Sequence, residues 1–202
     1  MLEIVLATSN VGKLTEFRAL MAELPITIIP QVDFNVEDAE ETGLTFIENA
    51  IIKARHAAQV TGRAALADDS GLVVDVLDGK PGIYSARFAG ATANSAQNIE
   101  KLLTAMRGVE PARRTARFVC VLVLMRHAQD PSPVISQATW EGEILLSPQG
   151  ENGFGYDPVF WVPGQQCTAA QLPEAIKNQL SHRGQALEGV KSQIATFSNL
   201  GG

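Results

Sequence analysis

The sequence predicts an α/β protein with a mixed sheet, and three observations support that class. Short runs of Ile, Val and Leu alternate with helical spacing in the first third of the chain, which is typical of strand–helix–strand units. Apolar runs then cluster in the middle of the chain, which favours a mixed sheet over a purely doubly wound one. The length of 202 residues suits one domain or two tightly joined lobes, and no linker separates independent domains, so 1–202 is expected to be a single domain.

Apolar periodicity and capping residues give the elements in order. The expected strands lie at 2–7, 26–29, 64–67, 72–77, 117–125, 134–140, 143–146 and 159–162. The expected helices cover about 14–24, 45–60 and 94–106, one more begins near Pro173, and the last buries Leu187, Val190, Ile194 and Phe197. Pro25 ends the first helix, Thr45 and Glu48 have capping-box spacing at the start of the second, and Gly62 stops it.

Composition and charge exclude several classes of protein. Lys and Arg total 16 against 22 Asp and Glu, so the net charge of −6 argues against a general nucleic-acid binder. The longest apolar run, 118–125, is too short to span a bilayer, and the first residues lack the basic start of a secretion signal. Cys120 and Cys167 have no metal or redox spacing, and Cys120 is expected to be a small buried hydrophobe. A reduced, cytoplasmic, enzyme-like domain with no membrane or nucleic-acid partner is therefore expected.

The loop after the first strand, Thr8-Ser9-Asn10-Val11-Gly12-Lys13, is a candidate phosphate-binding loop. A polar turn that leads into a helix presents free backbone N–H groups and the positive end of the helix dipole, and both bind anions. Lys13 adds a full charge, but Leu14 stands where the P-loop motif has the hydroxyl that ligates magnesium. The loop is expected to hold phosphate while any metal is held elsewhere. The alternative is an ordinary β–α turn with an exposed lysine.

Two adjacent carboxylates, Asp68 and Asp69, follow an apolar strand and are poorly suited to a core. Magnesium prefers a carboxylate or two together with water and substrate phosphate, and Glu40 or Glu41 can supply the remaining ligand. Beside a metal-bound triphosphate, a carboxylate can also orient or deprotonate a water. The alternative is an Asp-Asp-Ser-Gly turn that caps strand ends.

The segment Gly153-Phe154-Gly155-Tyr156-Asp157-Pro158 is a candidate base-binding loop. Its glycines allow close approach to a ligand, and its two aromatic rings can stack on a flat base. Pro158 occupies the last glycine position of a dinucleotide fingerprint, which argues against a nicotinamide enzyme. The alternative is a tight turn whose aromatic rings close the core.

A cationic segment, Ser181-His182-Arg183, follows Lys177 by one helical turn. Because Lys and Arg only donate hydrogen bonds, such a segment favours a base with a carbonyl acceptor over one with an amino group. The alternative is a helix C-terminus decorated by cations. A Ser-His-Asp hydrolase is disfavoured because the chain has no G-x-S-x-G elbow.

Together these segments resemble the inosine triphosphate pyrophosphatase family, specifically its bacterial XTP/dITP pyrophosphatases. The residues that carry the resemblance occur in the family's order and span nearly the whole chain. They are Thr8-Ser9-Asn10 with Lys13, Ala39-Glu40-Glu41-Thr42-Gly43, Phe46-Ile47-Glu48-Asn49-Ala50, Lys53-Ala54, Ala67-Asp68-Asp69-Ser70-Gly71-Leu72, Pro81-Gly82-Ile83-Tyr84-Ser85-Ala86-Arg87, Gly153-Phe154-Gly155-Tyr156-Asp157-Pro158 and Ser181-His182-Arg183.

The resemblance implies a pool-cleansing enzyme that hydrolyses dITP, ITP and XTP to the monophosphate and pyrophosphate at the α–β phosphoanhydride, using Mg²⁺. It also implies an elongated mixed β-sheet flanked by helices, two lobes with a central substrate cleft, and a homodimer. The polar logic agrees, since a site of donors satisfies a 6-keto purine and opposes the amino group of adenine. That logic does not by itself reject guanine.

Residue roles follow from the resemblance. The triphosphate is assigned to the phosphate loop, with added charge from Lys53; the loop residues are Thr8, Ser9, Asn10, Val11, Gly12 and Lys13. Asp69 is assigned as the general base, and Ser70 as a contact to the substrate. The magnesium is assigned to Asp69 and Glu40, with Glu41 and Asp68 close by. For the nucleoside, the resemblance assigns stacking to Phe154, the pocket to Gly155, Tyr156 and Asp157, and the base edge to Lys177, His182 and Arg183.

Two other functions stay open at this point. One is a related house-cleaning pyrophosphatase that prefers a modified pyrimidine, against which the Ser181-His182-Arg183 segment argues. The other is a non-enzymatic nucleotide- or RNA-binding module. The carboxylates around Asp69 argue against that module, because carboxylates repel phosphates unless a metal lies between them.

Overall fold

The computed structural model describes residues 2–199, and these form a mixed seven-stranded sheet flanked by helices, with strand order β2-β1-β3-β4-β5-β6-β7. The strands are β1 Leu2–Ala7, β2 Ile26–Pro30, β3 Ala64–Val74, β4 Thr115–Met125, β5 Val134–Ile144, β6 Phe160–Val162 and β7 Cys167–Thr168. The helices are α1 Val11–Met21, α2 Phe46–Thr61, α3 Ser95–Ala105, α4 Glu174–Leu180 and α5 His182–Asn199. The α/β class with a mixed sheet, expected from the sequence, is confirmed.

The chain divides into two compact units, and each is assembled from separate stretches. The first unit comprises the residues up to Asp69, Cys120–Ala138 and the residues from Arg183 onward, while the second comprises Ser70–Val119 and Thr139–His182. The chain therefore passes between the units within β3, β4 and β5 and at the start of α5, rather than through linkers. That residues 1–202 act as a single domain stays a prediction.

The parallel part of the sheet lies in the first unit. β1 pairs parallel with both β2 and β3, with Leu6 opposite Pro30 on one side and Leu66 on the other. Parallel neighbours require a crossover connection, and helices α1 and α2 provide the two crossovers. Ala7, the last residue of β1, lies opposite Ala67 of β3, so the phosphate loop that follows β1 and the two aspartates in the middle of β3 lie at the same end of β1.

Two cores cover the two faces of this part of the sheet, because successive side chains of a strand point to opposite faces. The face that carries Ile4, Leu6 and Leu66 packs against α1 and α5 through residues such as Phe17 and Leu187. The opposite face packs against α2 through four buried alanines, namely Ala50, Ala54, Ala57 and Ala58. These small side chains place the backbone of α2 close to the sheet.

The antiparallel part of the sheet lies in the second unit, where β6 pairs antiparallel with both β5 and β7. Its core joins Leu72, Phe118, Trp140 and Phe160 to the buried face of α3. Gly142 of β5 allows this packing, since a Cβ there would lie 2.6 Å from the Phe160 ring and 2.5 Å from the Trp161 carbonyl oxygen.

The predicted start and end of α2 are confirmed by the structure, whereas the first helix begins at Val11 and ends at Met21, four residues before Pro25. The Thr45 side chain accepts a hydrogen bond from the Glu48 N–H at the start of α2, and Gly62 ends that helix with a φ of 66°. The Asn94 side chain caps α3. On α5, Leu187, Val190 and Ile194 are buried as expected, whereas the side chain of Phe197 lies outside the described residues.

Two strand predictions are wrong. The expected turn at 68–71 is instead part of one continuous strand, β3, and the expected break after Trp140 lies inside the continuous strand β5. Propensity argues against Asp and Gly in strands, but the pairing of the sheet overrides it here. Asp68 and Asp69 are tolerated within β3 because cationic side chains neutralise both of them.

Within residues 2–199, no helix has both the length and the apolarity that a membrane-spanning segment requires.

Candidate active site

The first candidate region is the phosphate loop between β1 and α1. Asn10 caps α1, and its side chain accepts a hydrogen bond from the Lys13 N–H at 3.0 Å. The Thr8 hydroxyl accepts from the Asn10 N–H at 3.2 Å, which gives the turn its shape. Ser9 donates to Asp38, so a second segment of the chain holds the loop in place. The loop thus begins a helix of eleven residues, as an anion-binding loop requires.

Asp68 lies at the centre of a buried charge cluster in the first unit. Its carboxylate forms ion pairs with Lys13 and with the Arg183 Nε at 3.3 Å, and it accepts a hydrogen bond from the Cys120 thiol at 3.2 Å. Arg183 also pairs with Glu16 of α1. Burial by itself raises the pKa of Asp68, but the charges of Lys13, Arg183 and nearby Lys53 outweigh burial and hold that pKa well below its usual range. Asp68 is therefore ionised, and its oxygens are bound by side chains of the protein.

Asp69 has different partners because it points to the opposite face of β3. Lys53 of α2 donates to Asp69 Oδ1 at 2.7 Å and to Glu41 Oε1 at 3.0 Å, so one ammonium group joins two carboxylates. Asp69 Oδ2 is buried and has no hydrogen-bond partner. A buried carboxylate oxygen without a partner is costly, and it marks a position where a water, a metal ion or a substrate atom fits.

The pKa of Asp69 is raised, because burial outweighs the opposing charges of Lys53 and Lys13. The neighbouring Lys53 keeps its proton, since Asp69, Asp68 and Glu41 together outweigh the effect of its burial and raise its pKa. Two consecutive residues of one strand therefore have opposite properties. Asp68 stays ionised, whereas Asp69 is a carboxylate whose proton affinity is increased, as a proton acceptor requires.

The donor set around Asp69 fits a magnesium-type cation that keeps water and substrate ligands. Two carboxylates, Asp69 and Glu41, meet at Lys53, and one oxygen of Asp69 is unsatisfied. Glu40 lies on the same loop, where its carbonyl oxygen accepts the Thr42 N–H at 3.1 Å. Across the described residues, no group of three or more His, Cys, Asp or Glu side chains is arranged to hold a metal ion. Such a cation would therefore need ligands from outside the protein.

The second candidate region lies in the second unit, around the aromatic loop. Asp157 accepts hydrogen bonds from the Phe154 N–H at 2.8 Å and from the Lys177 ammonium at 2.7 Å. The Lys177 ammonium lies 5.1 Å from the centre of the Phe154 ring. Gly153, at a φ of 74°, leaves room for the Asp157 carboxylate, which a Cβ would overlap. A flat ring, a cation and a buried carboxylate are thus held together by one loop and helix α4.

Two further residues of the predicted base site are packed into the core of the second unit. Tyr156 is buried, and its hydroxyl donates to the Ser85 carbonyl oxygen at 2.9 Å. The ring of His182 stacks on Phe118, with ring centres 4.9 Å apart. Tyr156 thus occupies the position expected of an aromatic residue that closes a core, whereas Phe154 remains partly exposed.

A cavity of about 980 Å³ lies on one side of this loop, within the second unit. It is formed by α3 and the segment 146–158, and Phe154 and Gly155 are among the residues that line it. Its volume falls at the upper end of the range typical of small-molecule sites, roughly 300–1,000 Å³.

The structure groups the predicted site residues into two sets, and their roles stay predictions. The first unit brings together Lys13, Lys53, Asp68, Asp69 and Glu41, and the second brings together Phe154, Asp157 and Lys177. Arg183, predicted to read the base, is buried beside Asp68 and Glu16.

Sequence reasoning missed Glu16 and Cys120 as members of the charge cluster. Glu16 had a local signal, because it follows Lys13 by three residues and therefore lies on the same face of α1. Cys120 had none, because its partner Asp68 is on a neighbouring strand 52 residues away.

Comparison with known proteins shows the family of this chain. A family model described as the Ham1 family matches residues 4–193. A dITP/XTP pyrophosphatase of Photobacterium profundum is 61% identical over 93% of this chain and 95% of its own length. One of Xanthomonas oryzae is 54% identical over 98% of this chain and all of its own.

Solved structures give the same result. A HAM1 protein from Coxiella burnetii has a TM-score of 0.90 and 52% identity, covering 97% of this chain and 100% of that one. A structure from Mycobacterium abscessus, named as a nucleoside-triphosphatase and dITP/XTP pyrophosphatase, has a TM-score of 0.75 and 38% identity, covering 94% of this chain and 98% of that one. By the family model that matches residues 4–193, the relatives of 54–61% identity and the matching fold, this chain belongs to the Ham1 family.

Proposed function

We propose that this protein is a Mg²⁺-dependent pyrophosphohydrolase that converts dITP, ITP and XTP to the monophosphate and pyrophosphate, and so removes deaminated purines from the nucleotide pool. The observation that carries the proposal is the buried Asp69 carboxylate, which is held by Lys53 beside Glu41 and has one oxygen without a partner. The names of the relatives from Photobacterium and Xanthomonas support the substrate class.

Asp69 acts as the general base in this proposal. Its raised pKa makes it a better proton acceptor than an ordinary carboxylate, while Lys53 fixes Oδ1 and leaves Oδ2 available to a water. The hydrogen bond to Lys53 also sets the orientation of the carboxylate before substrate arrives. Preorganisation of this kind lowers the cost of reaching the transition state.

Asp69 and Glu40 would hold the magnesium, as the resemblance implies, and Glu41 is added to them because its carboxylate meets that of Asp69 at Lys53, with Asp68 close by. Bound magnesium would neutralise phosphate charge and lower the pKa of a bound water. Asp68 is the weakest of the four candidates, because Lys13, Arg183 and Cys120 already engage its oxygens.

The phosphate loop is assigned to the triphosphate. Backbone N–H groups at the start of α1 and the helix dipole attract anionic oxygens, and Lys13 and Lys53 add two positive charges to this unit. The side chains of Thr8, Ser9 and Asn10 already shape the loop through hydrogen bonds, so the loop needs little reorganisation on binding.

The second unit is assigned to the base. Phe154 offers a ring face for stacking, and Lys177 offers donors that match a 6-keto acceptor. Asp157 restrains both of them, which fixes the direction of the donor. The assignments of Ser70, Gly155, Tyr156, His182 and Arg183 to the substrate rest on the family resemblance. The Arg183 guanidinium also forms ion pairs with Asp68 and Glu16.

The deciding experiment is a substrate panel of dITP, ITP, XTP, dGTP, dATP and dTTP, with phosphate and pyrophosphate assayed separately. We expect pyrophosphate from the first three and little turnover of the rest. Asp69→Asn should abolish turnover, whereas the matched control Asp75→Asn, at the exposed ion pair with Arg117, should not. Release of single phosphates would refute α–β cleavage. Preference for the pyrimidine dTTP, or binding without hydrolysis, would instead support one of the two alternative functions.

We also propose that the protein acts in the cytoplasm as a homodimer, as the family resemblance implies. Light scattering coupled to size-exclusion chromatography tests the dimer directly, and a monomeric mass across the working concentration range would refute it.

A further inference from the structure

The loop that carries Glu41 is fastened to helix α2 by a buried asparagine. The Asn49 side chain is completely buried, and its Oδ1 accepts the Gly43 N–H at 2.8 Å. Gly43 lies only two residues after Glu41. A backbone anchor this close restricts where the Glu41 carboxylate can lie.

A second anchor and a tight fit hold the same loop. The Glu48 carboxylate accepts the Leu44 N–H at 2.9 Å and the Thr45 hydroxyl at 2.8 Å. At Gly43 there is no room for a side chain, since a Cβ would lie 2.5 Å from the Glu48 Cβ and 2.7 Å from the Asn49 Oδ1. The loop backbone therefore lies directly against the first turn of α2.

The helix holds the loop and the catalytic carboxylates from the same face. Lys53 follows Asn49 by four residues, so the two side chains are neighbours on α2. Lys53 donates to Glu41 at 3.0 Å and to Asp69 at 2.7 Å. Asn49 thus fixes the backbone of the loop that carries Glu41, and Lys53 forms an ion pair with the Glu41 carboxylate.

The chemistry of Asn49 indicates that its acceptor is the useful group. Its Nδ2 is buried and has no hydrogen-bond partner, which lowers the stability of the fold. Leucine has the same number of side-chain heavy atoms, branched at the same carbon, and no polar group to leave unpaired, so the need to fill space does not by itself explain an asparagine here. Because the partner of Oδ1 is a backbone N–H, the orientation of the amide is also determined.

We propose that Asn49 is a positioning residue that holds the Glu41 carboxylate beside Lys53 and Asp69 by fixing the Gly43 backbone. Its consequence for catalysis rests on the proposed function, whereas the positioning itself does not.

The experiment compares four single variants and the double variant Asn49→Leu/Gly43→Ala with the wild type. Asn49→Leu removes the acceptor, Asn49→Asp keeps it, and Gly43→Ala displaces the loop from the other side of the same contact. The matched control is Asn98→Leu. Asn98 is a buried asparagine of α3 that anchors a different loop by accepting the Ala89 N–H at 2.7 Å and donating to the Ala86 carbonyl at 3.0 Å.

Kinetics give the first readout. Loss of a supporting hydrogen bond behind a site residue typically lowers activity by about 10–100-fold, and we expect that fall in kcat for Asn49→Leu and Gly43→Ala. Asn49→Asp should restore most of it, and Asn98→Leu should lower Tm with kcat unchanged. The double variant should be no slower than the worse single one, because both changes break one contact.

Carbon-13 NMR of the Glu41 carboxylate and hydrogen exchange of the Gly43 amide give the second readout, which needs no activity. We expect both to change in Asn49→Leu and neither to change in Asn98→Leu. An unchanged Glu41 signal in Asn49→Leu, or in Gly43→Ala if the first variant does not fold, overturns the proposal. If the wild type hydrolyses no triphosphate, the proposed function fails, yet these spectra still decide the role of Asn49.

Discussion

Asp68 and Asp69 are adjacent, yet replacing each by asparagine should affect stability in opposite ways. Asp68→Asn removes the anion that neutralises Lys13 and Arg183 in the interior. Breaking a buried ion pair from one side costs roughly 3–5 kcal/mol. Arg183 keeps its pair with Glu16 and Lys13 is partly exposed, so we expect the lower end, about 3 kcal/mol. For a chain of this size that corresponds to a Tm about 6–12 °C lower.

Asp69→Asn should leave stability unchanged or slightly increased at pH 7. Because the pKa of Asp69 is raised in the folded protein, its ionisation opposes folding, and a neutral amide relieves that opposition. The ionisation of Asp68 has the opposite effect and favours folding, because its pKa is lowered in the folded protein. The stability it supplies is fully present above its unfolded pKa, about 3.9, and is lost as pH falls toward its lower folded pKa. The difference between wild type and Asp68→Asn should therefore narrow below about pH 4.

The assay is urea unfolding followed by far-ultraviolet circular dichroism, which reports on the whole chain, at several pH values. Asp75→Asn is the control, since its exposed pair with Arg117 should be worth at most about 1 kcal/mol. Equal destabilisation by Asp68→Asn and Asp69→Asn would refute the assignment of different partners to the two carboxylates. A cost for Asp68→Asn no larger than that of the control would refute the buried cluster.

Three further predictions concern packing, binding and the metal. Gly142→Ala should lower the free energy of unfolding by about 1–3 kcal/mol, because its Cβ would overlap the Trp161 carbonyl oxygen and the Phe160 ring. The control Gly164→Ala meets open space and should not destabilise, so equal unfolding midpoints for the two variants would contradict this prediction. Lys13→Ala should lower kcat/KM for dITP at least about tenfold, whereas Arg18→Ala on the exposed face of the same helix should not; an unchanged value would exclude Lys13 from a role in triphosphate binding or catalysis. Chelation should abolish hydrolysis and added Mg²⁺ should restore it, and full activity in excess chelator would exclude a metal role.

Local sequence signals predicted the elements of the fold well. Caps such as Thr45 and Gly62 act within a single helical turn, so the residues themselves determine where α2 starts and stops. The run at 118–125 is apolar on both faces, as expected of a strand that is covered on both sides. The same local rules failed at 68–71, where ion pairs from other elements keep two aspartates within a strand.

The pairing within the site was less predictable, because it depends on tertiary structure. Asp68 meets Arg183 across 115 residues of chain, and only the folded sheet brings them together. The difference between Asp68 and Asp69 follows from strand alternation, which the sequence concealed because a turn was expected there. Spacing and residue type identified candidate groups, whereas the structure shows which cation each carboxylate binds.

The thiol of Cys120 is buried, and burial together with the charge of Asp68 raises its pKa well above the ordinary value. Since only a thiolate reacts readily with electrophiles, Cys120 should resist alkylation, while the more accessible Cys167 should react. Maleimide dyes would then attach at one position in the native protein. That gives a single-site fluorescent reporter on β7 without any engineering of the chain.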